Sequence, residues 1–433
     1  MSSLALQALY DKVNSCQNIQ TGRFFINDDN FFCPENIHIS NIDIAFVTSS
    51  YEMDILNLLK IKHKLQEYKI PSVLGGINAH LNPSFFAKNF DIIFLGRLDK
   101  RFDLIMQHFL KYGPQRLTEL KLPGIFHYSL GRCSNKESPA KDYSYLPSTV
   151  ITSSATVFPN TFLTEIAAGC RHKCRFCLLS SLNKPYKYYP SSPLLAKIKK
   201  LPLSVKQVGL VAASVNDYPH IENLIKAINR FGKKITTASL RMENITPDLL
   251  TLLKANEQKT ITLAPETAAV HLQKKIGKIY REKKLLQTAE LIASYGFARL
   301  KLYYLIGLPA ESDNDIILMT EQIKKIKNAL NKGAARSGIN PLLELSINPF
   351  IPKPFTKLGA ENYENVKTLK QKIKLVKKKT AGAGNIKLHF LSPRAGKLQY
   401  FISNKLNTIA DILEHAAVHK YKLMDIEKKI RNF

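Results

Sequence analysis

Cysteine is scarce in this chain, and long apolar runs are absent. Six cysteines among 433 residues are too few for a disulfide-stapled scaffold, so we expect a reducing compartment. No stretch of 18 consecutive apolar residues occurs, and residues 1–10 lack the basic n-region of a secretory signal. These absences exclude a small secreted disulfide-rich protein and predict a cytoplasmic protein without a membrane span.

Acidic residues are also in short supply. The chain has 63 Lys and Arg against 34 Asp and Glu, a formal net charge of +29. This excess raises the question of a polyanionic partner, such as tRNA or an anionic membrane surface. Lysines outnumber arginines by 49 to 14, whereas bidentate phosphate recognition favours arginine. A solvated, lysine-biased surface is therefore the simpler explanation.

Apolar residues make up 45% of the chain, which is enough to form the cores of two or three domains. Residues 1–133 alternate short apolar runs with amphipathic helical patterns, which predicts a doubly wound α/β domain with a Rossmann-like parallel sheet. The predicted strands are Ile42–Thr48, Ser72–Gly76 and Asp91–Gly96, and the predicted helices lie near Asp54–Tyr68 and Lys100–Lys111. Glycines end two of these strands, where backbone could approach a ligand or simply turn. They are Gly75, Gly76 and Gly96.

Residues 134–160 are polar and interrupted by prolines, which predicts a linker. A second series of strands and helices follows over residues 161–356. The strand candidates are Phe162–Ala168, Gln207–Ala213, Lys234–Leu240, Thr260–Ala264, Arg299–Ile306 and Leu342–Asn348. Six such repeats favour a partial parallel (β/α)6 barrel over a second open sheet.

Residues 357–433 predict a small, basic, α-rich C-terminal extension. Val366, Leu369, Ile373 and Val376 recur at helical spacing, and lysines including Lys372 lie off this stripe. A solvated helical face that covers the barrel is one interpretation. A tract that binds nucleic acid is the other.

Half of the cysteines stand together, directly after the first strand of the second series. Cys170, Cys174 and Cys177 form a C-x3-C-x2-C motif, in which three basic residues interleave with the thiols. Basic neighbours lower thiol pKa values and offset the charge of an anionic thiolate cluster. The other three cysteines are scattered, at Cys16, Cys33 and Cys133.

The motif provides three metal ligands, one fewer than a structural zinc site or a four-cysteine iron–sulfur site requires. One corner of the metal site is therefore open. His172, between the first two cysteines, could complete a zinc site. The position of the motif, at the carboxyl end of a barrel strand, is where barrel enzymes build their active sites.

The cysteine motif, with Phe176 before its last cysteine, resembles the radical S-adenosylmethionine (radical SAM) superfamily. Residues 170–354 resemble more narrowly the radical SAM proteins that carry an N-terminal cobalamin-binding-type domain. The stretches that carry this likeness are TEIAAGCRHKCRFC, SLRM, TLAPET, KLYYLIGLP and NPFIPKPFTKLG, together with LGGINAHLNP in the first domain and SPRAGKLQ near the C-terminus.

This resemblance implies a 4Fe-4S cluster held by Cys170, Cys174 and Cys177, with the fourth iron chelated by S-adenosylmethionine. A reductant such as ferredoxin or flavodoxin would supply an electron, and S-adenosylmethionine would be cleaved to a 5′-deoxyadenosyl radical that removes a hydrogen atom from the substrate. Candidate S-adenosylmethionine-binding residues are Phe176, Ser214, Arg241, Glu266 and Gly307.

Individual roles follow from the chemistry of these side chains. Arg241 would pair with the methionine carboxylate, Glu266 would accept from the amino group or a ribose hydroxyl, and Gly307 would admit the adenine. Alternatively, Arg241 and Glu266 form a structural ion pair at the barrel rim. The Gly-Gly-Glu that the superfamily often has after the second strand is replaced here by Ala212-Ala213-Ser214, and Ser214, Asn216 and Asp217 are the candidate substitutes for its grip on the methionine amino group.

The first domain departs from many cobalamin domains because it has no Asp-x-His-x-x-Gly motif. A corrin could bind through Gly75, Gly76 and Gly96, or the domain could serve as a scaffold or lid. The sequence therefore predicts a radical SAM enzyme, with cobalamin-dependent methyl transfer as one reaction. A tRNA-modifying radical enzyme without cobalamin, or a non-catalytic protein that binds metal or nucleic acid, are the alternatives. The substrate, a small molecule or tRNA, is left open.

Overall fold

The computed structural model describes residues 3–27, 30–127, 145–182, 185–419, 421 and 423–430. The chain divides into two compact units: unit 1 is Met1–Ile151 with Leu398–Phe433, and unit 2 is Thr152–Lys397. The sequence placed domain boundaries after residues 133, 160 and 356 instead. Cys133 and residues 134–144 of the predicted linker lie outside the described residues.

Unit 1 contains a mixed sheet, a small hairpin and surrounding helices. Its N-terminal elements are α1 (Leu4–Asn14), β1 (Phe25–Asn27), β2 (Asn30–Phe32), β3 (Ala45–Thr48), α2 (Ile55–Glu67), β4 (Ser72–Gly75), α3 (Ile77–Leu81), α4 (Pro83–Phe86), β5 (Ile92–Phe94), α5 (Lys100–Tyr112) and β6 (Ile125–Phe126). Strands β3, β4 and β5 are parallel neighbours, and β6 joins β5 as an antiparallel edge that the sequence did not predict.

Both faces of this sheet are buried, as expected for parallel strands in an α/β fold. On one face, Val73, Ile92 and Phe94 form a core cluster with residues of α1 and α5. On the other face, Leu74 and Ile93 are fully buried. The α/β class predicted for this region is confirmed, although its three parallel strands are shorter than the sequence suggested.

Unit 2 alternates strands and helices along most of its length. Its elements are β7 (Thr161–Glu165), β8 (Ala167–Ala168), α6 (Leu178–Leu182), β9 (Lys187–Tyr188), α7 (Ser191–Lys199), β10 (Gln207–Val211), α8 (Ile221–Arg230), β11 (Lys234–Thr237), α9 (Pro247–Ala255), β12 (Thr260–Glu266), α10 (Val270–Ile276), α11 (Glu282–Ser294), β13 (Arg299–Ile306), α12 (Asp313–Ser337), β14 (Leu342–Pro349), α13 (Val366–Thr380) and β15 (Ile386–Phe390).

The long strands of unit 2 form two parallel sheets, in the orders β11-β10-β7 and β12-β13-β14-β15. The backbone N–H of Leu240 donates to the carbonyl of Thr262 at 2.9 Å and so links the segment after β11 to β12. The predicted parallel strands are confirmed, and β15 extends the series by a seventh strand. Closure into a barrel stays a prediction.

Local sequence signals explain where the longest helix begins and ends. Ser312 caps α12 and forms a capping box with Asp315, which satisfies backbone donors of the first turn. Gly338, with a φ of 72°, follows the last turn in the left-handed conformation that suits glycine. The helix packs beside α11 and covers one face of β13, where Tyr304 donates to Gln322 at 2.8 Å.

The C-terminal region differs from the sequence-based expectation. Residues 357–397 belong to unit 2 and include strand β15, whereas α15 (Ala410–Val418) and α16 (Leu423–Lys429) belong to unit 1; the boundary falls within α14 (Pro393–Asn404). In unit 1, Gln399 donates to the buried Glu52 at 3.1 Å and Asn82 donates to the Ile402 carbonyl at 2.9 Å. These bonds tie α14 to the loops after β3 and β4.

The sequence predicted that the lysines of α13 form a solvated face, and Lys372 is an exception. Its side chain is only 2% exposed, and its Nζ lies 2.8 Å from Oε2 of Glu311, which is equally buried. The helical stripe itself is as predicted, with Leu369 and Val376 fully buried. Among the described residues, no helix combines the length and apolar character that would be needed to cross a membrane.

Candidate functional site

The cysteine motif lies in a loop that leaves β8 at the carboxyl end of the first sheet of unit 2. Gly169, with a φ of 71°, turns the chain into this loop. The Arg175 N–H donates to the Ile276 carbonyl at 2.8 Å, and the Arg175 carbonyl accepts from Leu358 N–H at 3.1 Å. The hydroxyl of Ser180 donates to the carbonyls of Cys174 and Cys177 at 3.1 and 3.0 Å. These hydrogen bonds hold the loop in place.

A glycine beside the loop makes this close packing feasible. Gly277, which ends α10 with a φ of 69°, lies directly against the cysteine loop. A Cβ at this position would lie 3.1 Å from the Lys173 carbonyl oxygen and 3.2 Å from Cγ of Arg175. Both the left-handed backbone and the limited space favour glycine here.

The three thiols are free, half-buried and surrounded by cationic side chains. Burial raises the pKa values of Cys170 and Cys174 above the ordinary thiol value. The positive charges of Arg241 and Lys278 act in the opposite direction on Cys174, which places both cations near the thiols. Such cations would compensate the negative charge of bound thiolates.

The donor set bears on the choice between zinc and an iron–sulfur cluster. Among the described residues, no group of three or more His, Cys, Asp or Glu side chains is arranged to hold a metal ion. The cysteine motif supplies three thiols, one ligand short of a structural zinc site, whereas a 4Fe-4S cluster held by three cysteines keeps one iron open for a cosubstrate. The chemistry of the donor set therefore fits the cluster.

Histidine 172 is engaged elsewhere and does not complete a zinc site with the thiols. Its Nε2 lies 2.7 Å from Oδ2 of Asp217, whose carboxylate is buried. The second carboxylate oxygen, Oδ1, accepts from Asn244 Nδ2 at 2.7 Å. A buried carboxylate thus connects the cysteine loop to the segments that follow β10 and β11.

The residues that replace the superfamily's Gly-Gly-Glu are mostly occupied by internal hydrogen bonds. Asn216 donates to the Arg241 carbonyl at 2.8 Å and accepts from the Arg241 N–H at 2.9 Å. Ser214, buried after β10, donates its hydroxyl to Oδ1 of Asn216 at 3.1 Å. Asn216 therefore fixes the backbone of Arg241, and Asp217 is bonded to His172 and Asn244. Whether Ser214, Asn216 or Asp217 takes the role of the missing glutamate stays a prediction.

Arg241 and Glu266 do not pair with each other. Nε of Arg241 lies 3.4 Å from Glu243, and Oε1 of Glu266 lies 2.9 Å from Lys278. Burial raises the pKa of Glu266, while the charges of Lys278 and Arg241 oppose that rise. Glu266 ends β12 with a φ of 66°, a left-handed conformation that is uncommon for a non-glycine residue and is concentrated at functional sites.

Gly307 follows β13 in a tightly packed turn. With a φ of 75°, it donates its N–H to Oε2 of Glu311 at 2.6 Å. A Cβ at this position would lie 2.8 Å from Cδ2 of Leu369 on α13. Nζ of Lys372 donates to the same carboxylate oxygen of Glu311 at 2.8 Å. This buried ion pair therefore fixes the turn at Gly307, which the sequence predicted to contact the adenine.

Phe176 packs with Leu305 against an apolar cluster formed by residues of α10 and the loops after β13 and β14. Sequence reasoning missed two contributors to the site, Lys278 and Asn244, and gave His172 and Lys372 other roles, because each of the four acts through a partner outside its own local pattern. The structure thus brings together the cysteine loop, Arg241 and Glu266.

Comparisons with known proteins agree with this geometry. Residues 164–323 match the sequence model of the radical SAM superfamily. An uncharacterized protein of Methanocaldococcus jannaschii is 28% identical over 392 residues, which cover 87% of this chain and 80% of that protein. The ribosomal protein uS12 methylthiotransferase RimO of Myxococcus xanthus is 25% identical over 173 residues, which cover 37% of this chain and 36% of RimO.

Among solved structures, the radical S-adenosylmethionine methyltransferase TsrM of Kitasatospora setae, with cobalamin and a 4Fe-4S cluster bound, has a TM-score of 0.53 at 13% identity. The match covers 74% of this chain and 66% of TsrM, so the chain spans slightly less than two thirds of that protein. At this identity the likeness shows a shared fold. Since the family model spans the cysteine loop and the strands that lead to Arg241, Glu266 and Gly307, residues 164–323 form a radical SAM domain, and the chain is an enzyme that uses a 4Fe-4S cluster and S-adenosylmethionine.

Proposed function

We propose that this radical SAM enzyme is a cobalamin-dependent methyltransferase, with Cys170, Cys174 and Cys177 as the cluster ligands. The observation that carries the proposal is the extent of the likeness to TsrM, which covers 74% of the chain, whereas the radical SAM model matches only residues 164–323. The likeness therefore extends well beyond the radical SAM domain. TsrM is a methyltransferase with cobalamin bound.

The backbone at the carboxyl edge of the sheet in unit 1 favours our proposal that a corrin binds there without a side-chain ligand. A Cβ on Gly75 would meet only the Phe94 carbonyl oxygen, at 3.7 Å, so the space beside this glycine is open. Gly96 has a φ of 116° and is half-buried. These two positions let a flat ligand approach the strand ends in the crevice that open α/β sheets use for cofactors.

Gly76 has a different reason to be glycine. A Cβ there would collide with the backbone carbonyl of Ser49, and its φ is 97°. Asn78 donates to the hydroxyl of Ser49 at 2.7 Å and to the Tyr51 carbonyl at 2.8 Å, which braces the loops after β3 and β4. Gly76 thus preserves the shape of the edge, and Gly75 and Gly96 are the positions we propose for corrin contact.

In unit 2, the bound cluster and S-adenosylmethionine supply the radical chemistry, and the residues of this chain position them. We propose that Arg241 receives the methionine carboxylate; in support, Asn216 fixes its backbone and its side chain is only partly exposed. We propose that Glu266, which lies 2.9 Å from Lys278, accepts from the amino group or a ribose hydroxyl. A ferredoxin or flavodoxin is the reductant that we propose.

Retention of cobalamin tests the proposal. The reconstituted protein is incubated with hydroxocobalamin and desalted, and its visible spectrum and iron content are recorded. We expect about one corrin per chain, a loss of corrin but not of iron in Gly75→Leu, and a loss of iron but not of corrin in Cys174→Ala. With S-adenosylmethionine and a reductant, the corrin should become methylated.

Failure to retain corrin would contradict the proposal and favour cobalamin-independent radical chemistry. A product that carries a methylthio group rather than a methyl group would point to the reaction of RimO, whose likeness covers 37% of the chain. Mass spectrometry of the modified substrate separates these two results.

A further inference from the structure

One face of the second sheet of unit 2 carries a row of cationic side chains. On β13, Leu300, Leu302, Tyr304 and Ile306 are fully buried, whereas the Arg299 side chain is 46% exposed and that of Lys301 is 28% exposed. The register aligns Lys301 with Glu344 and Lys387, and Tyr303 with Ser346 and His389. Aligned residues of a parallel sheet point to the same face. We call Arg299, Lys301, Lys387 and His389 the cationic row.

A single carboxylate organises this row. Oε2 of Glu344 lies 3.0 Å from Nη1 of Arg299, and Oε1 lies 3.2 Å from Nζ of Lys301 and 3.6 Å from Nε2 of His389. Burial alone would raise the pKa of Glu344, but the hydrogen bond and charge of Lys301, with the charges of Arg299 and His389, hold it below its ordinary value. Glu344 therefore stays ionised beneath the row and fixes the cations in place.

The charges of this group do not balance. Arg299, Lys301 and Lys387 carry three positive charges and Glu344 carries one negative charge, which leaves a surplus of two before His389 is counted. Lys387 is exposed on the edge strand, and no carboxylate of the described residues lies within 4.0 Å of it. An ion-pair network that only stabilises the fold does not need two unbalanced positive charges, whereas a site for an anion does need them.

The same face leads toward the cysteine loop. Leu305 lies four residues beyond Lys301 on this face, and packs with Phe176 against a common apolar cluster. At about 3.3 Å per residue, the row is about 13 Å along the strand from this contact. Between them, the half-buried ring of Tyr303 lies 5.4 Å from Nζ of Lys301 and forms a flat surface.

We propose that the cationic row binds a phosphate group of the substrate, and that an elongated molecule extends from there along the sheet toward the cysteine loop. A phosphate monoester carries close to two negative charges near neutral pH, which matches the surplus, and Arg299 and Lys301 supply the donors that phosphate prefers. The inference rests on the proposed function only in naming the bound molecule a substrate. Phosphate binding itself needs neither cluster nor cobalamin.

Isothermal titration of the purified full chain with inorganic phosphate and with phenyl phosphate tests this inference at low ionic strength. We expect saturable binding, tighter for phenyl phosphate because Tyr303 adds apolar contact. In Arg299→Gln/Lys301→Gln, binding should weaken at least about tenfold, because charge-assisted hydrogen bonds are lost. The matched control is Arg281→Gln/Lys283→Gln, which removes the same two residue types from the start of α11 and should bind like the wild type.

Lys387→Gln provides a second variant, which changes an exposed side chain that forms no ion pair with the described residues, and we expect it to fold normally. It should weaken phosphate binding without a change in thermal stability. Absence of saturable phosphate binding in the wild type, or equal weakening in the control, would overturn the inference. Tight, steeply salt-dependent binding of tRNA that inorganic phosphate does not compete with would also overturn it, in favour of a nucleic-acid surface. None of these results depends on whether corrin is retained.

Discussion

The carboxyl edges of the parallel sheets in the two units are built in opposite ways. In unit 2, ionisable side chains gather there: three thiols, Arg241, and Glu266 paired with Lys278. In unit 1, the corresponding edge presents backbone at Gly75, Gly76 and Gly96, and its polar side chains are bonded to each other, as Asn78 is to Ser49. Unit 2 therefore carries ionisable groups at this edge, whereas unit 1 offers backbone, which is the kind of edge that we propose for the corrin.

The largest effect that this comparison predicts is the complete loss of chemistry in unit 2 without damage to unit 1. Cys170→Ala, Cys174→Ala or Cys177→Ala should abolish both the cluster and the cleavage of S-adenosylmethionine, because each variant removes one of the only three thiolates that the motif offers to hold the cluster. Iron content and 5′-deoxyadenosine formation are the measurements.

Cysteines outside the motif provide the controls. Cys16→Ala and Cys33→Ala, both in unit 1, should retain cluster and cleavage, and Cys133→Ala should do so as well. An intact cluster in a motif variant, or a lost cluster in Cys16→Ala, would contradict the assignment of ligands.

The next largest effect concerns the buried ion pair behind Gly307. Lys372→Met should leave the carboxylate of Glu311 buried without its cation, which costs about 3–5 kcal/mol in the free energy of unfolding. Burial already raises the pKa of Glu311, and Lys372 is the main opposing charge. Chemical denaturation measures the loss.

Lys370→Met on the same helix is the matched control, because Lys370 is exposed and should change stability little. Glu311→Gln/Lys372→Met should recover part of the loss, since no buried charge is then unpaired. Equal stability of Lys372→Met and Lys370→Met would show that the ion pair does not contribute.

These residues also show how far sequence reasoning reaches. The strand Arg299–Ile306 is found in the structure with the predicted bounds, because alternating and apolar residues mark it locally. Lys372 was assigned to solvent because helical periodicity treats every charge off the apolar stripe as solvated, and its partner Glu311 lies 61 residues earlier. Pairings at such separations leave no local pattern.

Strand β15 was missed for a related reason. Ile386, Leu388 and Phe390 alternate with Lys387 and His389, which is a strand pattern, but it lies in a tail whose basic composition favoured helix and solvent. The cysteine motif, in contrast, was visible because its ligands lie within eight residues of one another. Local chemistry was predictable, and the long-range partners that support it were not.

A smaller effect concerns the loss of stability of unit 1 as the pH falls. Burial, with a contribution from the charge of Arg101, lowers the pKa of His80 in unit 1 to about 4 from an ordinary 6.5. Between these pH values the unfolded chain binds a proton that the folded chain does not, so folding is weakened as the pH falls from about 6.5 to about 4. The loss is up to about 3 kcal/mol.

Urea unfolding at a series of pH values between 7 and 4 measures this effect as the difference between wild type and His80→Asn. The stability advantage of the wild type should shrink as the pH falls. His220→Asn, at an exposed histidine of unit 2 whose left-handed backbone suits asparagine, is the control and should follow the wild-type profile. A constant difference between wild type and His80→Asn would refute the assignment.

The smallest effect tests how unit 2 holds its cysteine loop. The buried carboxylate of Asp217 accepts from His172 on that loop and from Asn244, both at 2.7 Å. In Asp217→Asn, one of these donors would face the amide NH2, so the connection should loosen while the fold persists. Substitution of a residue that hydrogen-bonds to a metal-binding segment typically weakens metal affinity by about 10- to 100-fold, and we expect iron retention against a chelator to decrease by a factor in this range.

Asp248→Asn, which removes one exposed carboxylate from the start of α9, should retain iron like the wild type. If both variants retain iron equally, the hydrogen bonds within the loop and those to Ile276 and Leu358 suffice to hold it, and the polar connection through Asp217 is dispensable for the cluster.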